Sequence, residues 1–68
     1  MGCIIEELKL GDCSVCYEEC KDARGKSYFS AHIQHNLQGQ FIIDDRDLSR
    51  LKERIQSEII PFLEVRAS

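Results

Sequence analysis

Residues Cys3 to Leu10 alternate between apolar and polar character well enough to predict a strand, with Ile4, Leu8 and Leu10 on one face and Ile5, Glu7 and Lys9 on the other. Gly11-Asp12 ends it. Asp12 is also a good helix N-cap, since its carboxylate can accept from a free backbone N–H in the first turn. A helix started there puts Cys13, Cys16 and Cys20 at i, i+3 and i+7 on one side, joined by Tyr17, with Glu18 and Glu19 toward water. The same segment reads alternatively as a zinc knuckle. Lys21 to Ser27, around Gly25, predicts a solvated turn. Tyr28 to His35 then predicts a strand with Tyr28, Ser30, His32 and Gln34 on one face and Phe29, Ala31, Ile33 and His35 on the other. Asn36 to Gln40 has hairpin-loop length, and Phe41-Ile42-Ile43 is the return strand.

The best-defined element comes after Asp44-Asp45-Arg46-Asp47. Acidic residues suit the positive end of a helix dipole, and Asp44 or Asp45 can cap. Leu48, Leu51, Ile55, Ile59 and Phe62 recur at three- and four-residue steps, which lays one apolar stripe toward a core. Arg54 and Glu58 form an i,i+4 pair on the water side. Pro61 has no N–H to donate, so the helix is expected to kink or end near Ile60. Ile60, Leu63 and Val65 widen the apolar surface beyond one stripe. The expected fold is α+β: a small three-stranded antiparallel sheet with one long C-terminal helix across a face, and a short Cys-rich helix or zinc knuckle after the first strand.

A chain of 68 residues is a single small domain, residues 1–68, and a core of that size supplies only about 3–5 kcal/mol net. Such chains often add a metal, disulfides or a second subunit. Glu6 and Glu7 interrupt the apolar run that a secretory signal requires, so a cytoplasmic protein with reduced thiols is expected. No stretch approaches the roughly 18 apolar residues of a membrane span. The formal charge of −3 argues against a general nucleic-acid binder. Tyr28 to Ile43 contains no Asp, Glu, Lys or Arg, which marks that run as buried, paired or a contact surface.

A zinc site needs four ligands in a tetrahedron, and Cys13, Cys16, Cys20, His32 and His35 are the candidates. Cys13 and Cys16 have knuckle spacing. The histidines fit less well, being three apart on a predicted strand that aims them to opposite faces. Cys13-Ser-Val-Cys16-Tyr-Glu-Glu followed by Ala31-His32-Ile33-Gln34-His35 superficially resembles the first knuckle and central Cys-x-His-x-x-His region of a RING-type zinc domain, over roughly a third of the chain. Ala31 stands where that pattern has a ligand and no closing Cys pair follows, so a two-metal RING is excluded and ubiquitin-ligase activity is not implied. The competing reading makes the cysteines small buried hydrophobes.

No nucleophile, base and orienting acid fall at recognisable spacing, so a non-catalytic protein is expected. The function expected is a protein-interaction module acting as a regulator or inhibitor, with another protein or a second copy as partner. Tyr28, Phe41, Ile60, Leu63 and Val65 are the candidate contacts, used through strand addition at the uncharged hairpin and through the apolar helix end. The first alternative is a zinc-stabilised nucleic-acid-binding regulator using Lys21, Arg24 and Lys26. The second is a thiol redox protein built on Cys13-Ser-Val-Cys16.

Overall fold

The computed structural model describes the backbone of residues 2–67 and the side chains of residues 2–63. Four strands, β1 (Cys3–Leu10), β2 (Cys13–Lys21), β3 (Ser27–His35) and β4 (Gly39–Asp45), form one antiparallel sheet in the order β1-β2-β3-β4. A helical run follows: α1 (Leu48–Arg54), a π-turn (Ile55–Ile59) and α2 (Ile60–Ala67).

The expected three-stranded sheet is therefore corrected to four strands, and the Cys-rich helix or knuckle to strand β2. The reason lies in period two. Cys13, Val15 and Tyr17 are buried, whereas Ser14, Cys16 and Glu18 point the other way. Gly11-Asp12 is a hairpin turn instead of a helix cap, with Leu10 paired to Cys13. Gly11 has φ of 62° while no non-glycine residue among those described has positive φ, which defines a type II′ turn with its obligatory glycine first. One β-bulge between Ile4 and Glu6 shifts the register, so Ile4 pairs with Glu18, on the row opposite that of Leu8 and Leu10.

The core lies between one sheet face and the helix. Cys13, Val15 and Tyr17 from β2, Ala31 and Ile33 from β3, and Leu51, Ile55 and Leu63 from the helical run are all buried. Leu8, Leu10, Phe29, Ile43, Leu48, Ile59 and Ile60 pack around them. Tyr17 is fully buried beneath Lys52, whose Nζ stands 5.4 Å from the ring centroid and 2.7 Å from Glu6 Oε1. Burial pushes the Tyr17 phenol up, Lys52 opposes that shift and Glu6 adds to it.

The helix neither ends nor stays regular near Pro61. Its backbone widens over Ile55–Ile59, where the Ile60 N–H donates to Ile55 O, and it then runs on through Pro61. The extra residue in that turn rotates the side chains beyond it. Leu63 is consequently 2% exposed, whereas Phe62, which regular spacing puts on the core stripe, is 56% exposed. The Arg54–Glu58 pair is present at 4.0 Å.

The cap is Asp47, which accepts from the Arg50 N–H at 3.1 Å, while Asp44 and Asp45 belong to β4. Asp45 fastens β4 to α1 instead. Its carboxylate accepts from Arg50 Nε and Nη2, from Arg54 Nη1 and from the Asp47 N–H. Arg50 first, then the Asp47 amide, hold the Asp45 carboxyl far below the usual carboxylate range. A depressed native pKa means the unfolded chain binds the proton first. This stabilisation is complete above about pH 4, the unfolded carboxylate value, and is lost as pH falls below it toward the native pKa. Asp45→Asn is expected to lower the melting temperature at pH 6 and to flatten its fall below about pH 4. Thermal melts of both proteins across that range check this, and parallel pH profiles would remove Asp45 from the account.

Candidate interaction surface

The helix covers one sheet face and leaves the other bare. There Glu7 and Lys9 of β1, Ser14 and Cys16 of β2, His32 and Gln34 of β3, and Gln40 and Ile42 of β4 line an open trough of about 540 Å³. Cys16 faces His32 across the β2–β3 pair. Its thiol donates to Glu7 Oε1 at 3.9 Å, and burial, then Glu7 and Glu18, push its pKa up. These neighbours disfavour the thiolate. His32 Nε2 lies 3.6 Å from Glu18 Oε1. Cys20 pairs with Tyr28 further along, and the neighbouring thiol pushes the Tyr28 phenol up.

The five candidate zinc ligands divide between the two faces. Cys13 and His35 pair under the helix, whereas Cys16, Cys20 and His32 lie on the open side. Among the described residues no group of three or more His, Cys, Asp or Glu side chains is arranged to hold a metal ion. Strand geometry also separates the Cys13–Cys16 pair. Three residues of extended chain hold their Cα atoms about 10 Å apart with side chains on opposite faces, beyond the reach of a disulfide.

His35 has a different task. Its Nδ1 accepts from the Leu37 N–H at 3.0 Å and the Gln38 N–H at 3.1 Å, which puts the ring proton on Nε2. The ring is 2% exposed, and Nε2 has no hydrogen-bond partner among the described residues. It therefore holds the β3–β4 turn from below. Asn36 ties that turn to the β1–β2 turn by donating its N–H to Asp12 O at 3.2 Å.

Lys21, Arg24 and Lys26 lie at the β2–β3 turn, where Arg46 joins them. Asp22 occupies the centre of that group. It accepts from the Arg24 and Lys26 N–H groups at 2.8 and 3.0 Å and from Arg46 Nη2 at 2.8 Å, and Arg46 first, then the Lys26 amide, push its pKa down. Arg46 also stacks over Tyr28, 5.8 Å from the ring centroid. Lys21 donates to Ser27 Oγ at 3.1 Å.

The two sheet edges differ. β1 carries Glu6, Glu7, Lys9 and a bulge, devices that deter pairing with another strand. β4 has none of these from Gly39 to Ile43. It exposes Phe41 (39%) and Ile42 (65%), and the turn before it exposes Leu37 (72%). Of the other expected contacts, Tyr28 is half-buried on the open face, Ile60 is half-buried against the core and Leu63 is inside it. The Val65 side chain lies outside the described residues. Leu37 and Ile42 were not among the sequence-based candidates, although signals existed. Leu37 is an apolar residue within a polar turn, and in Phe41-Ile42-Ile43 strand alternation must turn one residue outward. Among the described residues no helix is long and apolar enough to cross a membrane. Comparison with family models, with curated proteins and with solved structures gave no match for this chain.

Proposed function

We propose that this protein is a non-catalytic interaction module, a small regulator or inhibitor that acts by accepting an extended segment along β4. The observation that supports it is the contrast between edges. β1 is charged and bulged, whereas β4 offers unpaired backbone groups beside Phe41, Ile42 and Leu37 without any formal charge before Asp44. Main-chain bonds to such an edge supply affinity, and alternate side chains supply selectivity. His35 contributes by fixing the turn that presents Leu37.

Selection from a displayed library of random peptides tests this reading. Selected peptides should be rich in β-branched residues and should protect β4 amides from hydrogen exchange. Ile42→Lys should weaken them about tenfold or more, the value of one buried isoleucine lost. Binders indifferent to Ile42→Lys, or protecting β1 instead, would overturn it.

A further inference from the structure

Resting on that reading, we infer that the strand accepted by β4 is β4 of a second copy, paired antiparallel about a two-fold axis through Ile42. The sequence of the strand itself selects this register. Centred on Ile42, Ile42 meets Ile42, Phe41 meets Ile43, Gln40 meets Asp44 and Gly39 meets Asp45. Every apolar residue thus faces an apolar residue, and each acidic residue faces an uncharged one. The two Asp44 carboxylates end up four residues apart along the strands, about 14 Å, which exceeds the screening length of about 8 Å at physiological salt. A register centred on Ile43 would instead set Asp44 against Ile42 and Asp45 against Phe41.

The alternatives within the sheet are poorer. A β1–β1 pairing must accommodate the bulge at Ile4 and Glu6 together with the acidic pair Glu6-Glu7. A β1–β4 pairing is head-to-tail, leaves one free edge on each added copy and grows into a filament. Of the two symmetric contacts, which both close, the β4 one meets neither a bulge nor an acidic pair on the axis. It joins two sheets into one of eight strands, puts both helices on the same side, and brings Phe41 against Ile43 of the second copy, where each is otherwise at a sheet edge.

Sedimentation velocity of the full chain from low to high micromolar concentration tests the inference. Expected are a reversible dimer, a monomer for Ile42→Lys because two ammonium groups then meet on the axis, and a tighter dimer for Gln40→Lys. Each Gln40→Lys side chain lies opposite Asp44 of the other copy, and two such cross-strand pairs should tighten the dimer by between about twofold and thirtyfold. Ser14→Lys, on β2 away from the edge, makes the same change in net charge and should leave the affinity as it is. A protein that stays monomeric throughout would overturn self-pairing while leaving acceptance of another protein's strand standing. A dimer indifferent to Ile42→Lys would place the contact elsewhere and likewise overturn self-pairing through β4. A dimer broken by Ile42→Lys but not tightened by Gln40→Lys would overturn the register.

Discussion

Leu51→Ala is expected to leave most of the chain unfolded at room temperature. Leu51 is fully buried where α1 packs over β3 and β4, and truncating a leucine in such a place costs about 2–5 kcal/mol through lost burial and the cavity left behind. A domain of this size has about 3–5 kcal/mol to lose. Urea titration followed by circular dichroism should show the wild-type transition shrinking to a sloping baseline in the variant. Phe62→Ala is the informative companion, because Phe62 is 56% exposed and the π-turn has moved Leu63 into the core in its place. A large loss for Phe62→Ala with a small one for Leu63→Ala would restore the regular helical phase and contradict the widened turn.

His35→Ala is expected to cost about 1–3 kcal/mol from the two turn amides that lose their acceptor. The emptied volume of a buried ring adds to this. Two further substitutions separate the causes. His35→Phe keeps the volume and discards Nδ1, so it should remain destabilised. His35→Asn offers an oxygen to amides two and three residues on, as asparagine does in turns, and should recover part of the loss. Hydrogen exchange of the Leu37 and Gln38 amides reports the bond directly. Equal stability of His35→Phe and the wild type would show that Nδ1 contributes nothing.

Strand periodicity was legible wherever one face is buried and the other bare. The assignment of Tyr28 to His35, including the opposite directions of His32 and His35, follows from alternation alone and matches β3. β2 was less legible because its three cysteines at i, i+3 and i+7 satisfy a helical stripe as well as a strand. What decides between them is the Gly11-Asp12 turn, a hairpin signal that can be mistaken for a capping aspartate. Once β2 is a strand, Cys13 and Cys16 must part to opposite faces. The split of the zinc candidates is thus a consequence of one turn. The helix stripe was readable through Ile59, which packs against the core; only at Phe62 does the phase change, because the widened turn before Pro61 is not encoded in residue spacing. For the proposed interaction surface, the absence of charge from Tyr28 to Ile43 singled out the β3–β4 hairpin. Which of its strands lies at an edge depends on the strand order, and the pairing of β1 with β2 decides it.

A sheet in which each strand pairs with its neighbour in the chain can assemble hairpin by hairpin, each forming in about 1–10 μs in isolation. No strand has to wait for a distant partner, so contact order stays low for a protein with this much sheet. The late event is the docking of α1, when Leu51 and Ile55 meet side chains laid down in β2 near the start of the chain. Until then the row formed by Cys13, Val15, Tyr17 and Ile33 stands uncovered beside an uncharged edge. A ribosome that has released β4 but still holds the helix in its exit tunnel presents that sticky intermediate to the cell.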